Sequence, residues 1–207
     1  MRQDLFIDVN EYETRVALYR DEILQEVHIE RDGRYSLTGN IYRGRVDRVV
    51  PGIQAAFVDF GGDRSGFLHV RDVVPGGVGG VDSDKKDAEE NSRDQFEDAL
   101  DIRSALHEGQ SLLVQVNKDP IAGKGARLTT KLTLAGRYLV LMPYNSRIGV
   151  SQRIREETER ERLRNLMDDF RHEMSSPHGY IVRTVAEGVP IEDLEDDVEF
   201  LERLWRQ

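Results

Sequence analysis

Two pairs of side chains in the stretch GNIYRGRVDRVVPGIQAAFVDFGGDRSGFLHV, Gly39 to Val70, could do chemistry on a polyanion. Arg43 and Arg45 stand two residues apart in a strand-like run, so they share one face of that strand. Phe57 and Phe67 lie in neighbouring strand-like runs joined by the turn GGDRS. Aromatic rings on the outer face of a small barrel stack single-stranded bases, and nearby cationic side chains hold the phosphates. Each stacked base contributes roughly 1–3 kcal/mol. Alternation along AAFVDF serves equally well to turn Phe57 inward, into a hydrophobic core. The pattern by itself leaves both orientations open.

The surrounding elements must hold these groups. Leu5–Val9, Arg15–Tyr19 and Glu22–Glu30 read as a small antiparallel meander, with RDGR as the turn after it. It is too short to be a domain alone. Ile41–Val49, Ala55–Asp59, Gly66–Val70 and Ser111–Asn117 read as strands separated by glycine turns. With the segment KDPIAGKGARLTT they give about five strands, which suits a closed barrel of the OB type. Leu132–Met142 reads as one long apolar strand or a pair. Arg153–Met174 reads as an amphipathic helix ended by SSPHG, with Leu163, Leu166, Met167, Phe170 and Met174 on one stripe. Tyr180–Val185 reads as a strand. Pro190 opens a last helix, whose apolar stripe Ile191, Leu194, Val198, Leu201 and Trp205 is still running at Gln207. The fold class expected is α+β, mainly β.

The chain of 207 residues carries a net charge of −10, which argues weakly against nucleic-acid binding. That charge is segregated. Asp82 to Asp101 holds nine acidic and three basic residues, so six of the ten negative charges sit in one insertion. The insertion, rich in Gly, Asp and Glu, reads as a solvated loop at about 72–103. DSDKKDAEE lacks the glycine and the terminal glutamate spacing of an EF-hand calcium loop. With zero cysteines, disulfides and thiolate metal sites are excluded for this chain. No apolar run reaches membrane-span length, and MRQDLFIDVN has charges where a signal peptide needs an apolar core. The expected compartment is the cytoplasm.

Catalytic chemistry is not evident. Asp8 and Asp59 have no partner at the spacing of a metal pair. His28, His69, His107, His172 and His178 are scattered without ligand spacing. A Ser-His-Asp arrangement is equally unsupported, so no catalytic and no metal-binding residue is assigned.

Gly39 to Val73 resembles the S1-type RNA-binding domain of the ribonuclease E/ribonuclease G family. KGARLTTKLTLAGRYLVLMPYNSRIGVSQRI and GYIVRTVAEG resemble the segments that follow it there, and the resemblance runs from LFIDVN to the last helix. It implies a partial ribonuclease-H-like strand meander at 1–38, an S1-like OB barrel at 39–130 and an α/β 5′-sensor subdomain at 131–207. It also implies that RNA stacks on Phe57 and Phe67 and that Lys124 completes that surface. Gly136, Val140, Arg183 and Thr184 are implied as the pocket for a 5′-monophosphate. The chemistry is apt: an arginine meets a phosphate with a bidentate fork, and a threonine hydroxyl adds a donor.

The resemblance implies single-stranded RNA, preferably 5′-monophosphorylated, as partner, and roles in rRNA processing and mRNA decay. Hydrolysis in the family uses magnesium on a pair of aspartates in a nuclease domain that follows this region, and a zinc link on a cysteine pair absent here. The expectation is therefore a truncated, non-cleaving part of an endoribonuclease, with no cofactor of its own and with homo-oligomers formed by the full-length protein. The first strands, without their later partner, are expected to pack on the sensor region or to pair with another molecule. A stand-alone, non-enzymatic RNA-binding module is the rival, and the unfinished stripe in FLERLWRQ separates the two.

Overall fold

The computed structural model describes residues 2–31, 36–74, 101–121 and 123–207. The chain divides into two compact units, Met1–Leu37 and Thr38–Gln207. The acidic insertion lies almost wholly outside the described residues, as does most of the RDGR turn.

The first unit is an antiparallel sheet of β1 (Gln3–Val9), β2 (Glu13–Arg20) and β3 (Ile23–Arg31), in that order. Leu5, Phe6, Ile7, Val9, Ile23, Val27 and Ile29 are all exposed. Glu13 bridges Arg15 and Arg31 across β2 and β3.

The second unit begins with a closed barrel of β4 (Ile41–Val50), β5 (Ala55–Asp59), β6 (Gly66–His69), β7 (Ser111–Lys118) and β8 (Arg127–Thr129). The barrel order is β4-β5-β6-β8-β7, with β6 and β8 parallel and the other pairs antiparallel. A short helix α1 (Ile102–Ala105) precedes β7. Val46, Val58, Leu68, Val114, Val116 and Leu128 fill the interior and are essentially fully buried. Gly44 is required there, because a Cβ would stand 2.6 Å from a Val58 methyl. This mainly-β architecture with a five-strand barrel fits the OB expectation. One barrel strand, β8, is only three residues long and was hidden within KDPIAGKGARLTT. β6 stops at His69, whose Nδ1 accepts a hydrogen bond from the Arg71 N–H and starts a 3-10 turn.

The second sheet has the order β11-β12-β10-β9: β9 (Leu134–Ala135), β10 (Leu139–Met142), β11 (Ile148–Val150) and β12 (Gly179–Val182). β11 and β12 are parallel, which requires a crossover, and α2 (Glu157–Glu173) supplies it. α3 (Ile191–Arg206) follows β12. Leu163, Met167 and Phe170 of α2 and Leu194, Val198 and Leu201 of α3 pack with Leu139, Leu141, Tyr180 and Val182 into one core. Both helices carry acids in the first turn and arginines in the last, matching the helix dipole.

Leu132–Met142 is a pair of strands, the second of the two readings left open. Two boundaries differ from the pattern. α2 starts at Glu157 rather than Arg153, because the Arg160 guanidinium donates to the Ser151 and Ile154 carbonyls and holds that stretch as a turn. β12 ends at Val182, where Ala186 buries itself and its N–H bonds the Arg183 carbonyl. Gln115 joins the barrel to the next segment. Its buried amide donates to Gly39 O and Thr133 O at 2.9 and 2.8 Å and accepts from Thr133 N at 2.9 Å.

Candidate nucleic-acid interface

Phe57 and Phe67 are direct cross-strand partners of β5 and β6. Their rings meet edge to face, with centroids 6.1 Å apart and an interplanar angle of 71°. Their chain neighbours Ala56, Val58 and Leu68 are 0% exposed, so both rings point out of the barrel and are only half-buried. The inward orientation of Phe57 is not the one adopted. The His69 ring stands beside Phe67, with centroids 6.4 Å apart.

Register extends this pair into a row. Arg48 of β4 opposes Phe57, Arg127 of β8 opposes Phe67, and Lys118 of β7 opposes Arg127. Cation, ring, ring, cation, cation thus cross five strands on one outer face. Arg127 is partly engaged, donating to Asp72 Oδ2 at 2.9 and 3.2 Å. Among the described residues, no hydrogen bond or ion pair occupies the guanidinium of Arg48.

Alternation from Arg43 and Arg45 would send position 48 inward. A bulge between Val46 and Arg48 inserts one residue and reverses that. Arg43 and Arg45 do point outward and are exposed, but they oppose Leu113 and Ser111 of β7, away from the rings. Arg45 also opposes Asp59. Lys124 is exposed, on a chain segment that presses against Ser65 and Gly66. The carbonyl of Ala126, two residues on, accepts the Phe67 N–H at 2.8 Å.

The second candidate lies at the end of β12. Arg183 Nη1 donates to the carbonyls of Gly136 and Arg137 at 2.8 and 3.1 Å. Its Nη2 and Nε have no hydrogen-bond partner among the described residues. Gly136 and Arg183 are thus brought together. Val140 faces the same side of the sheet, opposite Ile181 and Ala135. The Thr184 hydroxyl meets Ser151 Oγ at 3.1 Å. The Arg137 guanidinium lies over the Tyr138 ring, 5.0 Å from its centroid.

The loop at Gly136 is held by a residue the motif does not contain. Asp197 of α3 is buried and accepts from the N–H groups of Arg137, Tyr138 and Leu139 at 3.1, 2.8 and 2.9 Å. A Cβ on Gly136 would stand 2.5 and 2.6 Å from the two Asp197 oxygens. Glycine at 136 is thus explained by this carboxylate, and the three N–H groups are already occupied. A carboxylate inside the apolar stripe Leu194–Val198–Leu201 was the available signal for Asp197. Arg48 and Arg127 had none, since only register places them.

On its other side the Arg183–Gly188 segment is tied to α2. Glu159 accepts from Arg162 at 2.7 and 2.8 Å and from the Gly188 N–H at 2.9 Å. Those donors, Arg162 foremost, hold its carboxyl down at about 2. Beneath the sheet, Glu202 is buried and accepts from Ser176 Oγ, His178 Nδ1 and the Tyr180 hydroxyl. Burial pushes its carboxyl up, but the three donors together outweigh burial and hold it below the usual range. Burial and Glu202 push the Tyr180 phenol up. Among the described residues no three carboxylate or imidazole groups gather as a metal site. No helix of the described residues is long and apolar enough to cross a membrane.

Residues 133–207, the second sheet and its helices, match the model of the Ribonuclease E/G family. Over 205 residues the chain is 48% identical to Ribonuclease G of Salmonella typhimurium, a match that covers 99% of this chain and 40% of that protein. Along nearly its whole length the chain is thus similar to members of the ribonuclease E/G family. It is 38% identical over 208 residues to Ribonuclease E of Haemophilus influenzae, covering 99% of this chain and 20% of that protein. Ribonuclease E of Nostoc sp. is 38% identical over 190 residues. The chain therefore spans less than half the length of these relatives.

Proposed function

We propose that this chain is the N-terminal, RNA-binding and 5′-monophosphate-sensing part of a ribonuclease E/G-type, single-strand-specific endoribonuclease. Its tasks in the cell are processing of ribosomal RNA and decay of messenger RNA, in the cytoplasm, as part of a homo-oligomer. The observation that carries the reading is the outward pair Phe57 and Phe67 with guanidiniums on both flanks. Rings supply a stacking surface that any base satisfies, and flanking cations meet the backbone phosphates. The S1-like barrel of 39–130 is the strand-holding part in this reading, with Lys124, Arg43 and Arg45 as further cations around it.

The 5′ sensor occupies 131–207. Arg183 keeps two donor positions open while its remaining nitrogen fixes it to the Gly136 loop, so a terminal phosphate meets a pre-aimed fork. The Thr184 hydroxyl, free to rotate from Ser151, adds a donor. Val140 lines the apolar floor beside it. Cleavage and its magnesium belong to aspartates outside these residues, so the chain alone binds RNA and does not cut it.

Fluorescence anisotropy with a labelled, short single-stranded oligoribonucleotide tests this. The 5′-monophosphorylated form should bind about tenfold tighter than the 5′-hydroxyl form, the scale of one charge-assisted hydrogen-bonded contact. Arg183→Ala should erase that difference and leave 5′-hydroxyl binding intact. Equal binding of both forms by the unaltered chain would sink the sensor, and unchanged binding after Phe57→Ala with Phe67→Ala would sink the stacking face.

A further inference from the structure

We propose that the hollow between α2 and the turn before β11 is a separate phosphate site that takes an internal phosphodiester of bound RNA, an inference that rests on the RNA-binding reading above. The hollow has a volume of about 350 Å³ and is lined by Ser146, Arg147, Ile148, Arg164, Asp168 and Arg171. Three guanidiniums face one carboxylate, a surplus of two positive charges.

The arginines of α2 explain why that surplus points to a ligand. Arg160, Arg162 and Arg171 each pair with the acid three residues earlier, Glu157, Glu159 and Asp168. Arg164 does not. It lies on the same helix face as Asp168 and Arg171, at spacings of four and seven. Asp168 is taken by Arg171, at 3.1 Å, and Arg171 also donates to the Ser146 carbonyl. The side chains of Arg147 and Arg164 have no hydrogen bond or ion pair among the described residues, yet Arg164 is half-buried. A guanidinium drawn partly out of water without a partner is costly unless an anion meets it.

Geometry favours an RNA phosphate as that anion. The hollow sits where the parallel strands β11 and β12 begin, and Ser151, Arg183 and Thr184 sit where they end. Three residues of strand separate the two sites by roughly 10 Å. Two or three nucleotides cover that distance at about 3.4 Å or more per phosphate. The two sites therefore hold successive parts of one strand.

The test measures binding of a 5′-hydroxyl oligoribonucleotide to the whole chain across a salt series, which removes any terminal phosphate from the comparison. Arg147→Ala with Arg164→Ala should weaken binding and lower the slope of log K against log salt by about 0.7 per lost phosphate contact. Arg164→Lys with Arg147→Lys should keep the slope near that of the unaltered chain, which a merely damaged fold would not do. An unchanged slope in the alanine variant would overturn the site while Phe57→Ala still weakens binding, so the RNA-binding reading would survive. If the alanine variant loses only competition by millimolar inorganic phosphate, the hollow takes a free phosphate and the RNA assignment is wrong. If the unaltered chain binds no RNA, both readings fall together.

Discussion

On the barrel, Phe57 and Phe67 are aimed by hydrogen-bond register between strands. Ala56, Val58 and Leu68 go inward, and the pleat sends both rings out. At the end of β12, Arg183 is aimed by its own hydrogen bonds to two carbonyls of a loop, and that loop is itself held by Asp197 from another helix. The barrel face is a repeating surface that tolerates local change. The strand end is a chain of dependencies, in which loss of one buried carboxylate loosens everything above it. Stacking on the first should tolerate many sequences, whereas recognition at the second depends on a fixed geometry.

The largest expected effect comes from breaking that chain of dependencies. Asp197→Ala leaves the N–H groups of Arg137, Tyr138 and Leu139 without their acceptor, at about 1–3 kcal/mol for each group left buried. Thermal or urea unfolding should report a loss of several kcal/mol. At temperatures where the variant is still folded, anisotropy should report loss of 5′-monophosphate preference with 5′-hydroxyl binding retained. Gly136→Ala, which drives a methyl into the same carboxylate, should lose the preference too. Retained preference in both would show that the loop does not position Arg183.

The barrel face should respond differently. Phe57→Ala or Phe67→Ala should each cost roughly 1–3 kcal/mol of RNA affinity, equally for both 5′ forms, with little change in unfolding midpoint. A loss confined to the monophosphorylated RNA would break the division of labour between the two regions. Arg48→Ala should have a smaller effect, below about 1 kcal/mol at physiological salt and larger at low salt, because an exposed phosphate contact is screened.

Acid sharpens the comparison further. Glu159 and Glu202 both titrate lower in the folded chain than in an unfolded one, so each stabilises the fold at pH above the ordinary carboxylate range, near 4.3. That stabilisation fades as pH falls through their folded values, for Glu159 towards about 2. Both lie on the helices of the second sheet, Glu159 beside the strand end and Glu202 at the start of β12. The unfolding midpoint should therefore fall below pH 4.5, and Glu202→Gln should reduce that dependence. Histidine- and tryptophan-based probes near His178 and Trp205, whose rings lie 6.3 Å apart, should respond before the barrel does.

Particular residues show what could be read in advance. The outward-or-inward question at Phe57 was open because alternation has two phases, and only the closed barrel chooses one. Arg43 and Arg45 share one face of β4, as alternation requires; that face is exposed, but their rows are not those of the rings. Arg48 was out of reach because a one-residue bulge cancels the alternation that would have predicted it inward. Gly136, Arg183 and Thr184 entered only through the family resemblance, and glycine at 136 has a cause in Asp197, sixty-one residues away.

Local composition alone determined that strands and glycine turns fill the first half, that two amphipathic helices fill the second, and that negative charge is concentrated in one insertion. Those properties depend on neighbours within a few residues, where periodicity and turn chemistry act. Tertiary structure alone decided which rings share a row with which cations, which loop a buried carboxylate holds, and that Arg164 stands without the acid its sister arginines have. Such pairings join residues tens of positions apart, through register and helix packing, and no local pattern records them.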